Sequence, residues 1–177
     1  GRFVNSLQTF ALLALYLLDI RGERGPLVKS LTSTNMIDLL GSVYKVPVHE
    51  TPVGFKYVAQ IMMRENALIG GEESGGFGFR GHIPERDGIL SGLMILDMMT
   101  KTGKNPSELI STLESTVGHH HYDRQDIKLV QINKAQIEET LTTTPPQSIG
   151  NLSAKEVDDR DGFKYFLEDG SWCLIRF

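Results

Sequence analysis

One cysteine, one tryptophan and no long apolar run set the first limits on this 177-residue chain. Cys173 alone cannot close an internal disulfide or build a cysteine-rich zinc site, and a single free thiol fits a reducing compartment. The most apolar stretch, Phe10 to Leu18, is too short to span a bilayer and is broken by Asp19 and Arg21. It also lacks the basic start and small-residue cleavage site of a secretory signal, so a cytoplasmic location is expected. Positive charge is not in excess: 18 Lys and Arg stand against 22 Asp and Glu, a net charge of -4. Without a basic stripe, neither a nucleic acid nor a membrane surface is an expected partner. Internal repeats and low-complexity segments are missing too. What remains, 40% hydrophobic and 23% charged residues, is the balance of an ordinary globular protein long enough to bury a core.

Hydrophobic periodicity predicts alternating elements. Val4 to Ile20 reads as a nearly all-round apolar helix, with Gly22 placed to stop it. Pro26 to Leu31 looks like a buried strand, and Ser33-Thr34-Asn35 offers cap chemistry for a helix to about Tyr44. Val46 to Val53 is strand-like, Gly54 to Glu65 helical, and Ala67 to Gly70 a third strand. Asp87 can cap a helix over 88–102, and Pro106 suits the first turn of another that runs to about Gly118. Such alternation is that of an α/β layered domain. Beyond His119 the character changes. An edge strand is expected over 122–131, a short helix over 134–142, a turn at 143–148, and two strands, 163–167 and 172–177. This tail looks like the start of a second small domain.

Between the third strand and the Asp87 cap lies GGEESGGFGFRG, residues 70–81, with six glycines in twelve positions. A glycine-rich loop between strand and helix raises phosphate binding through backbone N–H groups. Here the G-x-x-x-x-G-K-[ST] pattern is missing, and Glu72 and Glu73 would repel a closely held phosphate. A nucleotide-binding domain is therefore disfavoured. Carboxylates and a serine among glycines suit a neutral polyol instead. A carboxylate accepts charge-assisted hydrogen bonds from neighbouring hydroxyls, Ser74 both donates and accepts, and glycines let backbone approach a ring. A solvated acidic turn is the plainer alternative. Arg80, His82 and Arg86 follow within fifteen residues of Glu72, and Lys56 follows Thr51-Pro52-Val53-Gly54-Phe55. If the loops converge on one sheet edge, binders of hydroxyls and of phosphate would share a cleft; otherwise these are surface charges.

Four ordered motifs carry a family resemblance over nearly the whole chain. They are Val28-Lys29-Ser30-Leu31-Thr32-Ser33; Thr51-Pro52-Val53-Gly54-Phe55-Lys56; Gly71-Glu72-Glu73-Ser74-Gly75-Gly76 with His82-Ile83-Pro84-Glu85-Arg86-Asp87-Gly88; and Asp161-Gly162-Phe163-Lys164 with Ser171-Trp172-Cys173-Leu174-Ile175-Arg176. The first three resemble the third domain of the α-D-phosphohexomutases, and the last resembles the opening of their fourth. The resemblance implies a layered α/β/α sugar-recognition domain over 1–120 and an incomplete small α+β domain, the N-terminal part of a phosphate-binding domain, over 121–177.

It further implies a hexose phosphate substrate whose phosphoryl group is exchanged with a phosphoserine elsewhere in the enzyme. A hexose 1,6-bisphosphate intermediate and Mg²⁺ held by a second-domain Asp-rich loop belong to the same chemistry, which rests on positioning and charge neutralisation. By position, Glu72 and Ser74 should bond sugar hydroxyls, Arg86 should stand near the reacting end, and Gly54 and Phe55 should line the wall. Lys29 is a further candidate contact. Some members carry histidine where this chain has Gly76 and threonine where it has Val53. The pair Glu72 and Glu73 together with Gly76 inclines the reading to glucose phosphates over mannose phosphates.

The chain holds no phosphoserine-like serine, no D-x-D-x-D loop and no S-G-T-E-P after Arg176. Gly1 to Val4 looks like the point just beyond the metal loop, so the chain by itself is expected not to catalyse. A non-catalytic α/β binding or assembly module is the rival reading, and the sequence does not give the oligomeric state. His119-His120-His121 reads as a polar helix exit more simply than as a zinc site, because consecutive side chains do not share a helical face. The methionines at 62, 63, 94, 98 and 99, together with Phe166 and Trp172, read as core.

Overall fold

The computed structural model describes residues 3–128 and 133–177. The chain divides into two compact units, with the boundary between His121 and Tyr122.

The first unit opens with α1 (Ser6–Leu15), closed by a capping box. Asn5 Oδ1 accepts from the Gln8 N–H at 2.8 Å, and Gln8 Oε1 accepts from the Asn5 N–H at 3.3 Å, which satisfies two otherwise unpaired backbone donors. The single helix expected to Ile20 widens part-way: Tyr16–Ile20 is a π-helical turn. The Arg21 N–H reaches back to the Tyr16 carbonyl at 3.0 Å, five residues upstream. In this wide turn the Tyr16 hydroxyl donates to Asp97, to which Lys101 also donates.

Strands β1 (Leu27–Ser30), β2 (Val48–Thr51), β3 (Ile69–Gly71) and β4 (Phe77–Phe79) form a sheet in the order β2-β1-β3-β4. β1 pairs in parallel with β2 (Leu27 opposite Val48, Ser30 opposite Thr51) and with β3 (Lys29 opposite Gly71). β4 returns antiparallel to β3. Helix α3 (Phe55–Glu65) covers one face, where Val28 packs with Phe55, Val58, Ala59 and Met62. On the other face Leu27, Ile69, Phe77 and Phe79 join α1 and α2 (Met36–Tyr44) in the main core. Helices α4 (Gly88–Thr102) and α5 (Pro106–Val117) complete that layer through Met98, Leu109, Ile110 and Leu113. The fold is thus a layered α/β/α domain, as the alternation predicts.

Strand β4 lies inside the stretch expected to be all loop. Phe77 and Phe79 sit two residues apart and therefore on one face, both buried, and the Phe77 ring stacks on Phe10 with centroids 5.3 Å apart. Gly78 between them makes room for Phe55, whose Cζ would be 2.9 Å from a Cβ there. Glycine content hid a strand that two phenylalanines build.

The second unit is an antiparallel meander of β5 (Ser148–Ile149), β6 (Leu152–Asp158), β7 (Phe163–Leu167) and β8 (Trp172–Ile175), preceded by α6 (Lys134–Thr143). The two expected C-terminal strands are present as β7 and β8. β5 and β6 were not expected, because Leu-Ser-Ala-Lys-Glu-Val-Asp is mostly polar and largely exposed, with a bulge between Ala154 and Glu156. The edge strand expected over 122–131 is absent over 122–128, and its last three positions lie outside the described residues. Tyr165 and Leu167 form the buried side of β7, and the Lys164 ammonium lies over the rings of Phe166 and Trp172.

Candidate functional site: the loops at one edge of the first sheet

Because β1, β2 and β3 run in parallel, the segments that leave their carboxyl ends share one edge of the sheet. These segments are 31–35, 52–54 and 72–76. Alternation then decides where each side chain goes. Gly71 faces α1, where a Cβ would press into the Phe10 ring, so the next residue, Glu72, faces α3. Its side chain is buried, with 8% exposure, and its Oε1 accepts the Gly54 N–H at 3.0 Å. Gly54 is the N-cap of α3 at φ +128, a conformation that favours glycine. The positive end of that helix therefore meets a carboxylate.

The loop itself is a tight turn. The Gly75 N–H donates to the Glu72 carbonyl and the Glu72 N–H to the Gly76 carbonyl, both at 3.1 Å. Gly75 adopts φ +93 to close it, and the Ser6 hydroxyl ties the turn to the start of α1 by donating to the Glu73 carbonyl at 2.6 Å. Ser74 is exposed at the tip.

Arg86 arrives from the segment after β4. That segment is anchored by the Asp87 N–H on the Phe77 carbonyl, and Asp87 caps α4 through the Leu90 N–H at 2.8 Å. The Arg86 guanidinium stands 5.5 Å from the centre of the Phe55 ring, and its Nη1 is 4.0 Å from Glu72 Oε2. Glu85 fixes it from behind, accepting from the Arg86 N–H at 2.8 Å and from Nε at 3.0 Å. That backbone N–H, and then the guanidinium, hold the Glu85 carboxyl below its ordinary range. Sequence reading does not single out Glu85; its place directly before Arg86 is the signal that marks it.

Four candidates thus come together: Glu72, Gly54, Phe55 and Arg86, with Ser74 on the same turn. Lys29 stands elsewhere. It points to the opposite face, 2% exposed, with its ammonium held by Asp38 of α2 and by Glu50 at 3.4 Å. The other basic residues do not join the group. Arg80 follows the antiparallel β4 to the far end of the sheet, where Nε donates to the Asn66 carbonyl at 2.9 Å. Lys56 lies over the Tyr57 ring at 4.7 Å, and His82 pairs with Asp87 at 2.9 Å. The polar segment after β1 supplies a feature that sequence reading missed. Ser33 and Thr34 are buried there, next to the buried Ser30 that ends β1, and among the described residues Ser33 Oγ has no hydrogen-bond partner.

Among the described residues no group of three or more His, Cys, Asp or Glu side chains is placed to hold a metal ion. His119 is drawn to Glu114 at 3.3 Å, and His120 to the Gly118 carbonyl at 3.1 Å. No helix among the described residues is long and apolar enough to cross a membrane.

Residues 5–116, which include every loop of this edge, match the family described as phosphoglucomutase/phosphomannomutase, α/β/α domain III. The chain belongs to that family. It is 32% identical over 176 residues to a phosphoglucomutase/phosphomannomutase of Thermococcus kodakarensis, covering 99% of this chain and 36% of that protein. It is 27% identical over 205 residues to phosphoglucomutase 1 of Drosophila melanogaster, covering 98% of this chain and 36% of the relative. A phosphoglucosamine mutase of Rubrobacter xylanophilus is 36% identical over 116 residues, 64% of this chain and 26% of that protein. In structure the chain is similar to a Thermus thermophilus protein provisionally assigned as a phosphomannomutase. The TM-score is 0.80 at 36% identity, over 99% of this chain and 35% of the other. The chain therefore spans about a third of the length of these relatives.

Proposed function

We propose that this chain is the sugar-recognition part of a phosphohexomutase that interconverts hexose 1-phosphate and hexose 6-phosphate, with glucose phosphates preferred over mannose phosphates. The observation that carries this reading is the Glu72 carboxylate, fixed through one oxygen by the Gly54 N–H while the other faces the half-exposed Arg86. A carboxylate offers about four lone-pair sites, so one bond to backbone leaves acceptors for the hydroxyls of a polyol. Glu72 and Ser74 bind those hydroxyls, at the 3 and 4 positions of the ring. Arg86 brings positive charge beside them for a phosphoryl group, and Gly54 with Phe55 forms the wall. A substrate phosphate reaching Lys29 would have to share it with Asp38 and Glu50.

In this reading residues 1–120 are the family's third domain and 121–177 the N-terminal part of the fourth, phosphate-binding domain. Turnover belongs to the full-length protein, in which a phosphoserine donates the phosphoryl group and hexose 1,6-bisphosphate is intermediate and activator. Mg²⁺ would neutralise phosphoryl charge there. The described residues offer it no ligand cluster, so no step performed by this chain is routed through it. What the chain does is grip the sugar in one orientation and, after the bisphosphate turns over, in the other.

The test is an assay of the full-length protein on glucose 1-phosphate, mannose 1-phosphate and glucosamine 1-phosphate, with Mg²⁺ and a catalytic amount of the bisphosphate. The same assay is run on the 177-residue chain. Turnover of the glucose substrate ahead of the others, confined to the full-length protein, is the expected result. Turnover of glucosamine phosphate alone would reassign the sugar. No turnover of any of the three would replace the mutase reading by that of a binding module.

A further inference from the structure

Arg86 is held where it is by an atom that is missing. A Cβ on Gly76 would lie 2.8 Å from Arg86 Cγ and closer still to its Cδ, so the arginine's methylenes occupy the space a side chain at position 76 would need. The backbone gives Gly76 no other reason to be glycine. Its φ is not in the left-handed region, which sets it apart from Gly75 at φ +93, where glycine closes the turn. The beneficiaries of the empty space are the two contacts of the guanidinium, the Phe55 face and Glu72 Oε2.

We propose that Gly76 is a positioning residue for substrate binding: its bare backbone is the seat on which Arg86 lies, and any side chain there displaces the guanidinium from Glu72 and Phe55. This rests on the reading of Glu72 and Arg86 as substrate contacts. It also gives position 76 a part in specificity. With glycine, the group beside the hydroxyl-binding carboxylate is a cation delivered from the segment after β4; with a larger residue, it is that residue's own side chain. Arg86 is half exposed, 52% for its side chain, so it can swing into solvent at little cost to the fold. The effect of filling the seat therefore falls on binding and turnover, and stability is spared.

The experiment is a double-mutant cycle in the full-length protein, reading kcat/KM on the hexose phosphate it turns over. Gly76→Ala is expected to lower kcat/KM on the order of tenfold to a hundredfold, the scale of a misplaced binding group. Added to Arg86→Ala, it is expected to cost nothing further, because the residue through which it acts is gone. Gly75→Ala serves as the contrast: it strains the turn backbone, so its loss should persist in both backgrounds. In the 177-residue chain, the Arg86 Nε–H resonance should shift on Gly76→Ala while the melting temperature stays within about a degree of the parent, the effect of a surface substitution. Losses for Gly76→Ala and Arg86→Ala that multiply would overturn the proposal. So would a silent Gly76→Ala beside a damaging Arg86→Ala. A silent Arg86→Ala would instead bring down the reading of Arg86 as a substrate contact, and this proposal with it.

Discussion

The Gly54 N–H donates to Glu72 Oε1 at 3.0 Å, which joins the N-terminus of α3 to the glycine-rich turn across eighteen residues of sequence. Two loops that leave β2 and β3, strands separated in the sheet by β1, are thereby locked together by one charge-assisted hydrogen bond, formed inside the domain where it is stronger than in water. The same carboxylate stands 4.0 Å from Arg86, so backbone, acid and base form one unit. Changing its central member affects both the loop and the ligand, and the two effects can be separated by the choice of substitution.

Glu72→Ala removes the acceptor for Gly54 and the charge facing Arg86 together. Hexose phosphate binding should weaken by about 1.5–3 kcal/mol, the value of a hydrogen bond to a charged group. Glu72→Gln keeps a carbonyl oxygen for the Gly54 N–H and loses only the charge, so it should retain the melting temperature while still binding more weakly. Calorimetric titration on the full-length protein, with melting curves of the chain, checks both. Unchanged affinity in Glu72→Ala would remove Glu72 from the sugar site.

Gly71 is constrained by packing instead. A Cβ there would lie 2.7 to 2.9 Å from three atoms of the Phe10 ring, and that ring cannot retreat because it is stacked on Phe77. Gly71→Ala should cost about 1–3 kcal/mol of stability, the usual penalty for overfilling a packed core. Phe10→Leu in the same chain should recover part of the loss. Urea denaturation of the single and double variants decides, and equal stability of Gly71→Ala and the parent would contradict the packing account.

Elements marked by local chemistry were legible in the sequence. Asp87 caps α4 and Pro106 stands in the first turn of α5, each beside the helix it starts. Elements whose cause is tertiary were not. The π-turn at Tyr16–Ile20 leaves no mark in a leucine-rich run, β4 is hidden among glycines, and β6 is too polar to alternate visibly. The site divides the same way. Residue types suggest Glu72, Ser74 and Arg86, but nothing local shows that Glu72 reaches Gly54 or that Gly76 leaves room for Arg86. Nearness in sequence groups Arg80 with Arg86. The antiparallel course of β4 carries Arg80 to the other end of the sheet, a consequence of strand direction that residue spacing does not carry.

Alkaline titration offers a check on the packing around the π-turn. The hydroxyl of Tyr44, the last residue of α2, has its pKa pushed up to about 12, first by burial, then by its hydrogen bond to Asp19 and the Asp19 charge; Arg24 works the other way. A folded value raised above the ordinary 10.0 means that the stabilisation is fully present below about pH 10. It is then lost as pH rises toward the folded value, because the unfolded chain gives up its proton first. Burial raises the Tyr165 hydroxyl as well, so absorbance titration of the five tyrosines needs Tyr44→Phe as the subtraction, and the difference should show a late phenolate that belongs to Tyr44. Asp19→Asn should bring it earlier. A Tyr44 that ionises at the ordinary value would mean that the hydroxyl is neither buried nor faced by Asp19.

Acid titration probes the anchor of the Arg86 segment. The Asp87 carboxyl is held below its ordinary value of 3.8, chiefly by the Leu90 N–H that it caps, with His82 adding to the same effect. A depressed folded pKa contributes stability that is present above the unfolded value and is lost as pH falls through the folded one. Asp87→Asn keeps an oxygen for the Leu90 N–H and cannot take up the proton. The parent should therefore be the more stable of the two at about pH 6, and the gap should close as pH drops toward about 3. Since Asp87 also hangs the preceding segment on the Phe77 carbonyl, fraying at this cap should loosen the adjacent Arg86. Melting temperatures of the two proteins at the two pH values give the sign directly. A gap that widens in acid would mean that the carboxylate at this helix end is a burden to the fold, and the cap would then owe its strength to its hydrogen bond alone.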